Sequence, residues 1–145
     1  MKNVFAFFCL GSVLYIFISL VSYSSLDPSL SSISSLSGSI ENLGGPFGAY
    51  LSDALFSVIG IGAYLFLLVM SFVAVKQLFF YQPSNNTHKV IKVTSALVLL
   101  SSFSALCEFY YSGDYFPQSS SGGLVGALIF TSLSNIFGIV GSLIF

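Results

Sequence analysis

Long apolar runs alternate along this chain with short segments that hold nearly all of its polar and charged residues. The apolar runs cover about residues 4–23, 54–75, 90–107 and 122–145. Each run is close to the roughly 20 residues that an α-helix needs to cross the hydrocarbon core of a membrane. The pattern therefore predicts one all-α integral membrane domain over residues 1–145, with four transmembrane helices.

The segment between the first two runs is rich in serine and contains the dipeptide Asp27-Pro28. Serine and proline at this density predict an irregular loop, because the residue before a proline is disfavoured in a helix. The first run is longer than the apolar core of a signal peptide. We expect it to be an uncleaved span, with a cleaved signal peptide as the alternative because the basic Lys2 precedes it.

A stretch of glycine and proline before the second run predicts a specific helix start. Gly44 and Gly45 allow turn conformations that are closed to other residues, and Pro46 suits the first position of a helix. Gly44 and Gly48 form a small-xxx-small pair, which lets another helix approach closely. Asp53 is the last charge before an uncharged run. We expect it at the membrane interface, where it favours the N-terminal end of the second helix.

Small residues recur along the fourth run, at Gly122, Gly126, Gly138 and Ser142. Their separations are multiples of four, which places them on one face of a helix. Such a face is typical of helices that pack closely in a membrane. The sequence leaves open whether this face meets the same chain or a second copy.

The composition places most side chains in lipid. Of the 145 residues, 55% are hydrophobic and only 6% are charged, whereas soluble domains are typically about 25% charged. The formal net charge is −1 and no residue is arginine, so the chain lacks the clustered basic side chains that bind nucleic acid. We expect the lipid bilayer to be a partner and expect no direct contact with nucleic acid.

The few charges are sorted between two sets of loops. All four lysines lie before the first run or around the loop between the second and third runs, and all five acidic residues lie in the other two loops. An excess of lysine marks the cytoplasmic side of a membrane protein. The distribution predicts a cytoplasmic N-terminus, a serine-rich loop outside, and a C-terminus that four crossings return to the cytoplasm.

The sequence contains none of the familiar catalytic patterns. It has no Gly-x-x-x-x-Gly-Lys-Ser/Thr phosphate loop, no Cys/His cluster with metal-ligand spacing, and a single histidine, His88, in a polar turn. No ionisable residue is expected deep within a run, although ion and proton pathways normally need one. We expect neither enzyme activity nor a cofactor. A small four-span transporter or channel, or a holin-like protein, is the alternative to a structural role.

Several stretches resemble segments of one known family. Residues 22–29 resemble its Ser-Tyr-x-x-x-Asp-Pro-Ser segment, which includes Asp27 and Pro28. Residues 42–56 resemble its Asn-Leu-Gly-Gly-x-x-Gly-Ala-x-Leu-Ala-Asp-x-Leu-Phe stretch, and residues 60–64 continue it. Residues 122–126 and 137–141 resemble its fourth span. The chain thus resembles the N-terminal four-span membrane domain of the FtsK/SpoIIIE family of bacterial DNA translocases.

The resemblance implies an anchor in the bacterial inner membrane at the division septum. In the family, this domain positions a hexameric, ATP-driven motor that moves chromosomal DNA, and it contacts other division proteins. We therefore expect a homo-oligomer with septal membrane proteins as partners. The family's linker, motor and DNA-reading domain are missing from the 145 residues. We expect a fragment or a separately encoded anchor, to which translocation and ATP hydrolysis are not carried over.

Overall fold

The computed structural model describes residues 2–28, 40–79, 86–111 and 120–142. These residues form α-helices and no strand, which confirms the all-α prediction. Most of the serine-rich loop and Asp114 lie outside the described residues. The helices, in chain order, are α1 (Lys2–Val21), α2 (Gly45–Ile59), α3 (Gly62–Phe79), α4 (Asn86–Tyr110) and α5 (Gly123–Ser142).

The second apolar run is divided between two helices. The chain bends by 109° between α2 and α3, so the prediction of one continuous helix over residues 54–75 is wrong. Gly60 has a φ of 57° and a ψ of −136° and ends α2, and its N–H donates to the carbonyl of Phe56 at 2.9 Å. Glycine adopts positive φ without the steric penalty that a Cβ imposes. A Cβ at this position would also overlap the carbonyl oxygen of Ser121.

Few of the helices are long enough to span a membrane by length and composition alone. In the described ranges, the segment His88–Tyr110 qualifies by itself, and the bent pair Gly45–Ile59 with Gly62–Lys76 qualifies if it counts as one span. The apolar segments Phe7–Val21 and Gly123–Ile139 are shorter. By length and composition, the described residues therefore supply one membrane-spanning helix, or two if the bent pair is one span.

Helix α2 lies at the centre of the packing. It contacts each of the other four helices, whereas α1 packs only on α2 and α3 among the described elements. Helix α5 packs on α4 and α2. The short helix α2 therefore connects the α1–α3 pair with the α4–α5 pair, which also meet directly where α3 packs on α4.

The small interior of the fold combines apolar and polar side chains, and the exterior is largely apolar. One buried apolar cluster is centred on Leu20, Phe56 and Ala63. Most large apolar side chains are exposed instead, such as Phe72 on α3 and Leu128 on α5. This distribution is the reverse of that in a soluble domain, and it fits helices that pack through small residues and face lipid.

Helix α5 is interrupted near its end. Gly138 has a φ of 70° and a ψ of 172°, which is not helical, and a Cβ added there would meet nothing within 4 Å. The prediction of one continuous packing face from Gly122 to Ser142 is therefore wrong, because the non-helical residue changes the direction of the chain before Ser142.

The bend at Gly60 yields a testable prediction. Gly60→Ala forces a side chain into a positive-φ conformation that is largely restricted to glycine, which costs about 1–3 kcal/mol, and it adds the overlap with the Ser121 carbonyl. We expect this variant to lose at least about 2 kcal/mol of unfolding free energy, measured by denaturation of the purified domain in detergent micelles. Gly11→Ala is the matched control, because a Cβ there meets nothing within 4 Å. Equal stability of the two variants would contradict the prediction.

Candidate functional site

A cluster of buried polar groups joins the end of α1, the segment before α2 and α2 itself. Burial of a polar group without a hydrogen bond is costly, so each of these groups needs a partner. Two serines in the cluster are fully buried, and the aspartate and asparagine are 2% and 4% exposed. We call this cluster the α2 junction, and it consists of Ser19, Asp27, Asn42, Gly44, Gly48 and Ser52.

The side chain of Asn42 makes hydrogen bonds in three directions. Its Nδ2 donates to the carbonyl of Ser19 at 2.9 Å and to the hydroxyl of Ser52 at 3.4 Å. Its Oδ1 accepts the N–H of Gly44 at 2.8 Å. Asn42 thus joins α1, α2 and the turn between them, with its amide nitrogen and oxygen both satisfied.

The carboxylate of Asp27 fixes the two residues that precede this turn. Its Oδ1 accepts the N–H of Glu41 at 2.8 Å, and its Oδ2 accepts the N–H of Asn42 at 2.9 Å. Hydrogen bonds to an ionised acceptor are stronger than those between neutral groups. The segment after α1 therefore determines the position of the segment before α2. Pro28 follows directly and is partly buried.

Gly44 and Gly48 provide the space for this arrangement. A Cβ on Gly48 would lie 2.7 Å from Ser19 Oγ and from Asn42 Oδ1, and a Cβ on Gly44 would overlap Ser19 Oγ. The pair thus packs against α1 of the same chain. Gly45 has a φ of 67°, which glycine tolerates, and Pro46 stands in the first turn of α2 with an exposed ring.

Asp53 does not lie at the N-terminal end of the second helix, so that part of its prediction is wrong. The reason is that α2 begins at Gly45, which places Asp53 in its middle, where it is 1% exposed. The hydroxyl of Tyr23 donates to Asp53 Oδ1 at 3.3 Å. Tyr23 lies two residues beyond the end of α1, and burial, with Asp53 as the second cause, raises the pKa of its phenol. The phenol therefore keeps the proton that it donates.

A second contact region holds the bend against the start of α5. The N–H of Ile61 donates to the carbonyl of Ser121 at 2.9 Å, and Ser104 Oγ of α4 donates to the carbonyl of Ile59 at 3.1 Å. The N–H of Gly122 donates to Glu108 Oε2 at 2.9 Å. The bend leaves the N–H of Ile61 and the carbonyl of Ile59 available for bonds outside their own helices. The first bonds to the start of α5 and the second to α4.

The glycines of the fourth run separate into two groups. A Cβ on Gly122 or Gly126 would overlap the carbonyl oxygen of Ser104, so these two residues pack against α4 of the same chain. A Cβ on Gly138 would meet nothing within 4 Å, and Ser142 Oγ donates within its own helix to the carbonyl of Ile139 at 2.8 Å. The structure therefore does not bring Gly138 and Ser142 into the packing with Gly126.

Sequence reasoning missed the serines that these glycines contact. Ser19, Ser52 and Ser104 are fully buried, yet each stands within or beside an apolar run, where a serine facing lipid looks the same in the sequence. The available signal is the combination of a serine in one run with a small-xxx-small pair in another.

The described residues contain no group of three or more His, Cys, Asp or Glu side chains that could hold a metal ion. They do contain an open groove of about 400 Å³ between α1 and α2. It is lined by Phe8, Gly11, Ser12, Tyr15, Ile16, Phe47 and Leu51.

The polar groups of this domain therefore hold helices together, which defines a helical membrane domain built around a central short helix. The chain belongs to the family described as the 4TM region of DNA translocase FtsK/SpoIIIE, which matches residues 1–145.

Relatives of this chain carry names that agree with the family match. The chain is 30% identical over 140 residues to DNA translocase FtsK 1 of Neisseria meningitidis serogroup B, covering 93% of this chain and 17% of the relative. It is 28% identical over 140 residues to DNA translocase FtsK of Pseudomonas syringae pv. tomato, covering 89% and 16%. The chain thus spans about a sixth of the length of these relatives. No solved structure matches it.

The two backbone hydrogen bonds that Asp27 accepts in the α2 junction predict that its side chain stabilises the fold. Asp27→Asn keeps the shape but replaces one acceptor oxygen by an amide that faces a backbone N–H, so we expect a loss of about 1–3 kcal/mol in unfolding free energy. Glu41→Gln removes a charge from an exposed neighbouring side chain and leaves both backbone bonds to Asp27 in place. We expect this control to change stability by less than about 0.5 kcal/mol. If Glu41→Gln lowers the unfolding free energy and Asp27→Asn does not, the stabilising role of Asp27 is refuted.

Proposed function

We propose that this chain is the membrane anchor of a DNA translocase, which it holds and helps to oligomerise at the division septum of the bacterial inner membrane. The observation that carries the proposal is the match to the membrane region of the family over residues 1–145. The relatives are named DNA translocases and are about six times longer than the matched region. In this proposal the chain has no ATPase activity, and the motor belongs to the rest of such a protein.

The proposed topology has four crossings, formed by α1, α3, α4 and α5. Lys76 near the end of α3, and Lys89 and Lys92 in the first turns of α4, are exposed, as expected for lysines at the cytoplasmic interface. Lys2 begins α1. This arrangement places both termini in the cytoplasm and the α2 junction at the outer side.

Helix α2 does not form a crossing in this topology. If α3 is close to the membrane normal, the 109° bend leaves α2 close to the membrane plane. Its outward side chains are apolar, with Phe47 69% and Val58 48% exposed. Its polar side chains, Ser52 and Asp53, are buried. A helix with this inverted polarity is stable when lipid, rather than water, covers its outer face.

A transporter or channel is the second candidate, and the buried carboxylate of Asp53 is the observation that favours it. Buried acids in membrane domains often lie on ion pathways. Proteoliposomes distinguish the two functions, because an anchor gives no ion flux and a pathway through Asp53 gives a flux that Asp53→Asn reduces.

Localisation tests the anchor. The 145-residue chain, fused to a fluorescent protein, is expected to concentrate at the septum of dividing bacteria. Gly48→Leu is expected to weaken that localisation without abolishing membrane insertion, because a side chain at Gly48 pushes on Ser19 and Asn42. Gly11→Leu is the control, since Gly11 has open space around its Cα. Normal septal localisation of Gly48→Leu would count against the proposal.

Fluorescence tests the placement of α2. The chain contains no tryptophan, so Phe47→Trp introduces one fluorophore on the outer face of α2. In vesicles of lipids brominated on their acyl chains, we expect its emission to be blue-shifted and quenched most strongly by bromines near the headgroups. Phe72→Trp, on the exposed face of α3, is expected to be quenched by deeper bromines. Quenching of Phe47→Trp by aqueous acrylamide instead would exclude a lipid-facing α2.

A further inference from the structure

The end of α3 and the start of α4 carry three of the four lysines of the chain. Lys76 lies in the last turn of α3, and Lys89 and Lys92 lie in the first two turns of α4. All three side chains are exposed, and α3 packs on α4. We call this surface the basic patch, and it consists of Lys76, Lys89 and Lys92.

The positive charge of the basic patch is not balanced by this part of the chain. The sequence contains no acidic residue between Asp53 and Glu108. The first turn of α4 has no acidic residue either, and its backbone N–H groups add a partial positive charge there. A lysine at the start of a helix is locally unfavourable. The placement of Lys89 therefore indicates a negative group outside the chain rather than a contribution to helix stability.

The length of α4 places its lysines at the depth of lipid phosphates. Glu108, near the other end of α4, is bonded to the start of α5, which is the outer side in the topology proposed above. Lys92 and Lys89 lie about 24 and 28 Å from it along the helix, close to the roughly 30 Å of the hydrocarbon core. The long lysine stems let both ammonium groups reach the phosphates of the inner leaflet.

The surface around the basic patch also offers contacts for acyl chains. Residues 88–95 of α4 are all exposed, and a run of about two turns covers every side of a helix. Val90 and Ile91, between the two lysines of α4, are 62% and 55% exposed, and Phe79 on α3 is 70% exposed. Surfaces that bind nucleic acid are polar around their basic residues. The mixture of lysines and large apolar side chains therefore favours a lipid.

We propose that the basic patch binds the phosphate groups of anionic phospholipids in the inner leaflet, with their acyl chains against the apolar side chains beside it. Lysines next to a membrane-spanning helix attract anionic lipids. The other side of the domain carries the acidic residues Asp27, Glu41 and Glu108 instead. This inference rests on the topology proposed above, and it goes beyond the anchor role because it names the class of lipid that the domain selects.

Fluorescence quenching measures this selection. The 145-residue chain contains no tryptophan, so Phe79→Trp places one fluorophore beside the basic patch. It is reconstituted in vesicles that mix phosphatidylglycerol with phosphatidylcholine, with bromine on the acyl chains of one lipid at a time. We expect brominated phosphatidylglycerol to be preferred over phosphatidylcholine by at least about fivefold. Phe47→Trp, which is also exposed but lies on α2, is the control reporter, and we expect no preference there.

Two pairs of substitutions separate charge from shape. In the Phe79→Trp chain, Lys89→Gln with Lys92→Gln is expected to lower the preference for phosphatidylglycerol by at least about fivefold. Lys89→Arg with Lys92→Arg keeps both charges and is expected to keep the preference. High salt is expected to weaken the preference of the chain with its lysines, because ions screen exposed charges.

Three results would overturn the proposal. One is equal quenching of the two reporters by brominated phosphatidylglycerol, which would leave the lysines with a role in topology only. Another is an unchanged preference in the glutamine pair. The third is loss of the preference when a short DNA duplex is added at low salt, which would make the basic patch a nucleic-acid surface. The vesicles contain no septum, so each of these results leaves the septal anchor standing, whereas failed septal localisation with an intact lipid preference removes only the anchor.

Discussion

The amide of Asn42 is the contact on which the rest of the arrangement depends. It bonds to the carbonyl of Ser19 on one side and to the turn at Gly44 on the other, so α2 has one position relative to α1. The carboxylate of Asp27 holds the backbone of Asn42 from the preceding segment. Because these groups are buried, loss of any one leaves its partners unsatisfied, and the cost is larger than that of one exposed hydrogen bond.

The same constraint explains why the bend after α2 is tolerated. A break in a helix frees backbone groups, and in a membrane those groups must be satisfied by protein. At this bend the N–H of Ile61 bonds to the carbonyl of Ser121, and the carbonyl of Ile59 accepts the hydroxyl of Ser104. Glycine at position 60 permits the contact, because any side chain would collide with Ser121. The bend and the start of α5 therefore depend on each other.

The apolar runs were sufficient to predict helices and a membrane domain, because burial in lipid requires both. They were not sufficient to predict the bend, since glycines such as Gly60 also occur in straight membrane helices. What makes Gly60 a break is its contact with Ser121, which is distant in the sequence. The position of Asp53 within its helix has a similar cause, because the apolar run begins at residue 54 whereas α2 begins at Gly45. The roles of Ser19 and Ser104 depend on which helices meet, and one sequence does not contain that information.

The central position of α2 also bears on the proposed role as an anchor. Helices in a membrane lack a strong hydrophobic drive to associate, since lipid is as apolar as their side chains. A domain that resists a pulling motor therefore needs specific contacts between its spans. Here α2 contacts all four other helices. Asn42 links it to α1 at one end through hydrogen bonds to Ser19 and Ser52, and at the other end the Gly60 bend is bonded to α4 and the start of α5. A force on either helix pair passes to the other through α2 and through the direct contact of α3 with α4, and the buried polar groups strengthen the connections that α2 makes.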